Sequence, residues 1–521
     1  MTLRAFVGHP EYLCGLRTCA KSICDDRALF HRLCLRNMTG LYLGLLIGFA
    51  TFDIRDFGAV GDGVTLNTMA IQSAIDAAGM RGGTVVIPAG KFLSGTIHLR
   101  SHVNLHLDDG AVLLGSAKRK DYEKIIWYCL ISANKVDDVK ITGHGTIDGQ
   151  GAELAKDVLH MVDTGEIKIP PKGWRPSELD RPELIEMNYC KGVDITDVTM
   201  KNSCCWVQTY RECEDLFMMR VKVDSKSYWN NDGIDVLDCK RVKIFYCDVD
   251  ACDDGICLKS ANPKSRCEDV AISNCKIRSS ASAIKFGTSS AGGFKDVTIR
   301  DCEVRDTFRS VIALESVDGG TLDNIDVGYI KAVNTGNAFF IRLGHRTLTA
   351  PVGRVKNIWL HDLDVQVPLK QPDLGYAFKG PDIATPHNVM PSSIMGHLQF
   401  PIENVKLERI KVRYPGAGTT TIANAPVNAL AKIPEYAEHY PEFNMFGEMP
   451  AWALFVRHAK GISIKDCSFS ADAPDYRPAL VLDDVSNFSA SKIKISGTKA
   501  MAVVRKGRPT KIDGFVVRQV K

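Results

Sequence analysis

Three aspartates in the middle of the chain have the type and spacing of an acid–base catalytic group. Asp253 follows Asp232 by 21 positions, and Asp254 comes directly after it. If 21 residues make one turn of a repeating structure, these carboxyl groups lie on neighbouring strands, ~4.8 Å apart, on one outer face. Carboxylates that are so close raise one another's pKa, which leaves a proton donor beside ionised partners. Hydrolysis of a glycosidic bond requires such an arrangement.

The same aspartates admit two other interpretations. Asp-Gly is a turn dipeptide, present here as Asp232-Gly233 and Asp254-Gly255, and aspartates are common at exposed corners. Clustered carboxylates also suit a hard cation such as calcium. Spacing alone leaves these alternatives open.

The elements that must position these aspartates are repeated short strands. The segments that begin at Val193, Val242, Val270 and Val297 share an alternation of apolar residues. The last three begin 28 and 27 positions apart, and a period of that size is typical of a solenoid. Alternation with a period of two is typical of strands rather than helices. We therefore predict an all-β fold, a parallel β-helix whose stacked coils bury a continuous core.

A helix is predicted at the N-terminal end of the solenoid. Ile71, Ala74, Ile75 and Ala78 mark one apolar face at helical spacing. We expect this helix, over Asn67–Ala78, to cap the open end of the stacked coils.

The 17 cysteines fit the repeat better than they fit metal or redox chemistry. No Cys-x2-Cys pair occurs, which argues against a zinc module. Cys247, Cys275, Cys302 and Cys467 occupy the same place in their repeats. We predict that they form an inward column of small, reduced core residues.

Composition excludes several classes of protein. Hydrophobic residues make up 45% and charged residues 24%, which are ordinary values for a globular chain. Lys and Arg total 65 against 61 Asp and Glu, so the net charge is +4 and provides no strong field for nucleic acid. We expect a monomer that binds no nucleic acid.

The chain divides into an N-terminal extension, residues 1–50, and a single catalytic domain, residues 51–521. Residues 41–50 are apolar or small, too short a stretch to span a bilayer, and fit the core of a signal peptide. A secreted or periplasmic protein is therefore expected, although the same residues could form an apolar first strand. Residues 368–450 are rich in Pro, His, Tyr and Gly, and we expect long loops there that wall a groove.

Several motifs resemble glycoside hydrolase family 28, the polygalacturonase family. Asn230-Asn231-Asp232-Gly233 followed one coil later by Asp253-Asp254 looks like the family's Asn-Thr-Asp and Asp-Asp motifs. The opening Phe-Gly-Ala-Val-Gly-Asp-Gly and Arg181-Pro182-x-Leu184-Ile185 also resemble it. The resemblance implies a right-handed parallel β-helix that hydrolyses glycosidic bonds in pectin with inversion.

The resemblance also implies roles for the matching residues. Asp253 is the general acid, and Asp232 and Asp254 hold and deprotonate the attacking water. Asn230, in the first motif, is expected to contact the substrate. No metal and no cofactor are implied.

Two departures from the family put an ordinary endo-polygalacturonase in doubt. Ser282 stands where the family has the His of a Gly-His-Gly motif, and Val311–Glu315 replaces the Arg-Ile-Lys that clamps the sugar carboxylate. Lys285 and Arg342 in the following coils are candidate replacement cations that bind the substrate. We expect a substrate such as rhamnogalacturonan, whose rhamnose carries no carboxylate, or attack at galacturonide ends.

Two alternatives to a pectin hydrolase remain. One is a calcium-dependent polysaccharide lyase on the same fold, which would leave an unsaturated product. The other is a non-catalytic carbohydrate-binding β-helix, which would bind without turnover.

Overall fold

Parallel strands wind through nearly all of the chain that the structure, a computed structural model, describes. The described residues are 50–171, 173–369, 375–377, 390–418, 427–447, 449–508 and 511–520. Strands stack in three parallel ladders, and each coil of the chain contributes one strand to each ladder. The prediction of an all-β parallel β-helix is confirmed. The predicted signal segment lies outside the described residues, except for its last residue.

The first ladder carries the candidate catalytic face. Parts of the long strands Glu303–Ser316, Thr321–Leu343 and Leu454–Lys465 belong to it. Its other strands are Ile97–His98, Cys129–Asn134, Glu183–Asn188, Gln208–Arg211, Ile234–Leu237, Ile256–Ser260, Ile284–Ser290, Ser392–Met395, Leu480–Ser486, Met501–Arg508 and Val516–Val520.

The second ladder follows the first along each coil. It takes in parts of Thr321–Leu343, Arg354–Gln366 and Leu454–Lys465. Its other strands are Ala50–Asp53, Gly83–Ile87, Val103–Leu107, Asp137–Gly143, Lys191–Thr196, Glu214–Met219, Lys240–Phe245, Cys267–Ser273, Gly293–Arg300, Ile402–Glu408, Ser489–Ser491 and Lys511–Ile512.

The third ladder completes each coil. The ends of Arg354–Gln366 and parts of Glu303–Ser316 and Thr321–Leu343 belong to it. Its other strands are Asp62–Leu66, Gly90–Ser94, Ala111–Gly115, Thr146–Asp148, Thr199–Lys201, Lys222–Ser225, Asp248–Ala251, Lys276–Ser279, Lys411–Tyr414, Ser468–Ala471 and Lys494–Ser496.

Columns of identical or similar apolar side chains fill the interior of the coils. Ile244 lies opposite Met218 in the preceding coil and Ile272 in the next, and all three are fully buried. The four predicted cysteines form a similar buried column, and each thiol donates to a backbone carbonyl, at 3.3–3.5 Å. The interpretation of these cysteines as core residues is confirmed.

Two α-helices lie among the described residues. The first, Thr68–Gly79, begins and ends one residue later than predicted and buries the four predicted apolar residues against the N-terminal coils. The second, Gly151–Asp163, is amphipathic and was not predicted; it buries Leu154, Ala155, Val158 and Met161. Neither helix is long and apolar enough to cross a membrane.

The predicted loop region contains one complete coil and a segment that covers the sheet. The coil consists of Ser392–Met395, Ile402–Glu408 and Lys411–Tyr414. We call residues 427–447 the covering segment. Its side chains pack, with nearby apolar residues, on the outward face of the first ladder; this cluster contains Leu430, Phe443, Phe446, Met390 and Met449 from above and Phe340, Met395, Phe455 and Val481 from the strands.

The assignment of inward and outward faces can be tested by replacing two neighbouring residues of one strand and measuring stability. Ile244→Ala removes buried methyl groups from a stack that cannot collapse, so unfolding should become easier by about 2–5 kcal/mol. Lys243→Ala, on the outward side of the same strand, should cost well under 1 kcal/mol. Urea unfolding of both variants measures the difference. Equal losses would contradict the assignment of inward and outward faces.

Candidate active site

The turns that enter the first ladder stack two of the predicted catalytic aspartates. Asp232 and Asp254 each stand two residues before a strand, and the strands pair with Ile234 opposite Ile256. The backbone N–H of Gly233 donates to the carbonyl of Asp254 at 2.9 Å, so the turns themselves are in contact. Side-chain oxygens of Asp232 and Asp254 lie within 4.8 Å of each other. The sequence spacing predicted this proximity.

The glycine after each aspartate permits this close stacking. A Cβ on Gly233 would lie 2.5 Å from the carbonyl oxygen of Gly255 in the next coil. A Cβ on Gly255 would lie 2.6 Å from the carbonyl oxygen of Ala283. Any larger residue at either position would push the coils apart and separate the carboxyl groups.

The Asp253 side chain is held by donors on two sides. Its Oδ1 accepts the backbone N–H of Asp254 at 3.0 Å, and its Oδ2 faces Nδ2 of Asn230 at 3.4 Å. Oδ1 of Asn230 accepts a hydrogen bond from the buried Arg181 at 2.8 Å, which fixes the orientation of the amide. Asn230 therefore contacts the predicted general acid, and its contact with substrate stays a prediction.

Lys259 contacts Asp232 and Asp235, although it was not among the predicted site residues. Its Nζ lies 2.9 Å from Oδ2 of Asp232, contacts Asp235, and lies 3.8 Å from the centre of the Trp206 ring. Lys259 lies in the strand Ile256–Ser260, where Ile256 and Leu258 face the core, so the two-residue alternation contained the signal for its outward position.

Lys285 also lies in the cluster, as predicted, but it is fully buried. Its Nζ is 3.3 Å from Oδ2 of Asp254, 3.9 Å from Glu315 and 3.8 Å from Glu442. It also donates to the hydroxyl of Tyr440 at 3.2 Å. Carboxylates of the protein thus already surround the Lys285 ammonium, and its contact with substrate stays a prediction.

Arg309 provides a third cation that the sequence analysis missed. The backbone N–H of Arg309 donates to the carbonyl of Ala281, and both follow Asp253 at intervals of 28 positions, so the three occupy one column. Its Nη1 lies 2.5 Å from Oε1 of Glu442 on the covering segment. The period of the repeat would have predicted this position.

Arg342 holds the covering segment and is remote from the aspartates. Only 1% of it is exposed, and its guanidinium donates to the carbonyls of Met395, Gly396, Glu435 and Tyr436. These bonds use the donors that a substrate carboxylate would need. Substrate binding by Arg342 stays a prediction that its surroundings do not favour.

The electrostatic environment gives Asp253 and Asp254 different protonation states. Burial, together with Asp232 and Asp254, raises the pKa of Asp253 to about 7. Burial opposes ionisation of Asp254 too, but Lys285, Arg309 and Lys259 outweigh it and lower the pKa of Asp254 below its usual value. Near neutral pH, a partly protonated Asp253 therefore stands directly beside an ionised Asp254.

Lys259 is shared by two carboxyl groups. Although burial opposes its charge, Asp232 and Asp235 raise the pKa of the Lys259 ammonium, so it stays protonated. Burial raises the pKa of both aspartates, because one cation compensates only one of them. The pKa of Asp232 rises to about 7 and that of Asp235 to about 6.

The chemistry of the cluster does not favour a metal ion. Asp232, Asp254 and Cys257 bring three potential ligand atoms within 4.8 Å. However, the ammonium groups of Lys259 and Lys285 lie next to the two carboxylates and would repel a second cation. Burial also raises the pKa of the Cys257 thiol, which keeps it protonated and a poor ligand.

Comparison with known proteins gives one family and several relatives. The model of glycosyl hydrolases family 28 matches residues 79–339, half of the chain. The chain is 28% identical over 332 residues to a probable polygalacturonase of Vitis vinifera, covering 60% of each chain. It is 27% identical over 293 residues to an exo-poly-alpha-D-galacturonosidase of Dickeya chrysanthemi, covering 47% of this chain and 48% of that one. The matches thus span about half of these relatives.

Solved structures share the fold. The family 28 exopolygalacturonase of Yersinia enterocolitica aligns over 89% of this chain and 78% of its own, with a TM-score of 0.58 and 18% identity. The polygalacturonase of Erwinia carotovora aligns over 70% of this chain and 93% of its own, with a TM-score of 0.50 and 20% identity. At these identities the likeness supports the β-helix alone.

Because Asp232 and Asp235 share the ammonium of Lys259, we expect that removing this ammonium lowers the stability in a pH-dependent way. Lys259→Met should lower the free energy of unfolding by about 3–5 kcal/mol near pH 8, because Asp232 and Asp235 would be buried without a cation. Their folded-state pKa values would rise further above the unfolded ones, so the loss grows as the pH rises and shrinks as it falls. Denaturant unfolding from pH 4 to 8 measures it.

Lys264→Met is the matched control, since Lys264 is exposed and lies outside the cluster. It should change stability by less than 0.5 kcal/mol at every pH. A loss for Lys259→Met that is the same at pH 4 and pH 8 would show that packing, and not charge, is what Lys259 supplies.

Proposed function

The chain belongs to glycosyl hydrolases family 28, and from this membership we propose that it hydrolyses glycosidic bonds of a pectic polysaccharide with inversion. The observation that carries the proposal is the stacking of Asp232 on Asp254, within 4.8 Å, directly beside Asp253, in surroundings that raise the pKa of Asp253 and lower that of Asp254. One group can give a proton while the other takes one, which is what a single-step displacement by water needs.

Each side chain then has one task in the reaction. Asp253 gives its proton to the glycosidic oxygen as the bond to the anomeric carbon breaks. A water held between Asp232 and Asp254 attacks the same carbon from the opposite face and gives its proton to Asp254. Asn230, fixed by Arg181, leaves Oδ2 of Asp253 one lone pair for the proton. Exchange with solvent restores both groups.

Attack at a chain end is the second part of the proposal. The covering segment fills the groove face beyond Arg309 with a packed apolar cluster. Arg457 holds the same segment through the carbonyls of Ile433 and Leu430, and Arg342 holds it through Glu435 and Tyr436. A polymer that cannot pass this obstruction enters from one side only. The substrate is galacturonan or rhamnogalacturonan, shortened from its end.

Replacing the general acid tests the proposed reaction. Asp253→Asn should lower kcat by about 10²–10⁴-fold or more on galacturonan and rhamnogalacturonan oligosaccharides. Its unfolding midpoint should not fall, because the change removes repulsion between buried carboxyl groups. Chromatography and mass spectrometry of the products measure turnover. Asp248→Asn, the same change at an exposed position nearby, should behave as the wild type.

The products distinguish this proposal from the alternatives. A product that absorbs in the ultraviolet and a reaction abolished by EDTA would indicate a calcium-dependent lyase. Binding without product would indicate a carbohydrate-binding protein. Rapid fragmentation of long chains in their middle would leave hydrolysis standing and contradict attack at chain ends.

A further inference from the structure

We propose that Glu442 is a specificity-determining residue, which makes the subsite between Asp253 and the covering segment select a neutral sugar. The inference rests on the proposed function, because it concerns the substrate of the same site. It differs from the expectation that Lys285 and Arg342 bind a sugar carboxylate.

Glu442 occupies the place where a uronate carboxylate would bind. Its Oε1 lies 2.5 Å from Nη1 of Arg309 and 3.8 Å from Nζ of Lys285. Arg309 lies two coils beyond Asp253, roughly 10 Å at ~4.8 Å per coil, so one sugar ring fits between them. An anionic sugar in this position would have to displace the protein's own carboxylate.

The charges around the subsite disfavour a second anion. Lys285 already faces Asp254, Glu315 and Glu442, and Lys259 faces Asp232 and Asp235. With Asp253 and Arg309 included, six carboxyl groups share three cations. A galacturonate carboxylate would be a seventh carboxyl group beside three cations, in a cluster where an uncompensated charge is expensive.

Tyr440 supplies a surface that suits a neutral ring. Its hydroxyl accepts from Lys285 at 3.2 Å, while 52% of the residue is exposed. A tyrosine that is anchored at its hydroxyl and open at its ring can pack against the apolar face of a sugar. The covering segment thus pairs Lys285 and Arg309 with Glu442, so that they are not free to bind a sugar carboxylate. It also provides the aromatic ring of Tyr440.

The substrate that fits is a pectic chain whose terminal sugar carries no carboxylate. Rhamnogalacturonan that ends in rhamnose meets this condition, since rhamnose is neutral and its neighbour is galacturonate. Homogalacturonan does not meet it at any position. Of the two pectic backbones in the proposed function, the site geometry therefore favours rhamnogalacturonan.

The test compares rhamnogalacturonan oligosaccharides of matched length that differ only in whether the sugar entering this subsite is rhamnose or galacturonate. The wild type should have the higher kcat/KM for the rhamnose-ended series. Glu442→Gln should raise kcat/KM for the galacturonate-ended series by about 10-fold or more, because Arg309 and Lys285 become available for a charged hydrogen bond. The ratio of the two kcat/KM values should therefore shift toward the galacturonate-ended series.

Glu438→Gln is the matched control, an exposed glutamate on the same segment, and should leave both values unchanged. A wild type that prefers galacturonate ends overturns the inference without any variant. So does a Glu442→Gln variant, folded by its unfolding midpoint, that gains nothing on them.

Binding separates failure of this inference from failure of the proposed function. Calorimetry with Asp253→Asn, alone and combined with Glu442→Gln, measures affinity for both series without turnover. If the wild type cleaves galacturonate-ended chains better, hydrolysis stands and the selectivity is wrong. If it cleaves neither series, the proposed function fails, and the two affinities still decide whether the subsite prefers a neutral sugar.

Discussion

Buried and half-buried carboxyl groups outnumber the cations beside them, and the character of the site depends on this imbalance. The carboxyl groups are Asp232, Asp235, Asp253, Asp254, Glu315 and Glu442, and the cations are Lys259, Lys285 and Arg309. Full ionisation would leave three uncompensated charges away from water, so some of these groups keep their protons near neutral pH. Burial raises the pKa of Asp253 to about 7 and that of Glu315 to about 8, while the cations keep Asp254 ionised.

The solenoid makes such a cluster tolerable. Apolar columns such as Met218, Ile244 and Ile272 run the length of the coils and supply the stability that the charged turns do not. The register of the strands then determines where the charged side chains lie. Pairing of neighbouring coils stacks Asp232 on Asp254. The next coil brings Ser282, whose backbone N–H donates to Asp254 at 3.0 Å. The covering segment adds Glu442 from outside the repeat and closes the groove.

The sequence was sufficient to predict where a residue lies if the repeat itself determines the position of that residue. The period predicted the β-helix, the cysteine column and the proximity of Asp232 and Asp254, and it also contained Lys259 and Arg309, which were overlooked. Burial was misjudged: the aspartates were expected on an open outer face, yet Asp232 and Asp254 are buried and Asp253 is half-buried. No period could reveal Tyr440 and Glu442, because they reach Lys285 and Arg309 across 155 and 133 positions from an irregular segment.

The pH dependence of kcat/KM on a rhamnogalacturonan oligosaccharide tests most directly whether burial and neighbouring carboxylates keep Asp253 protonated. The profile reports ionisations of the free enzyme as macroscopic values. Activity should fall as the pH rises through about 7, where Asp253 loses its proton. It should fall on the acid side only below pH ~4, the ordinary value for an aspartate, since the pKa of Asp254 is lowered. A profile that already declines above pH ~5, or stays flat to pH 9, would contradict the account.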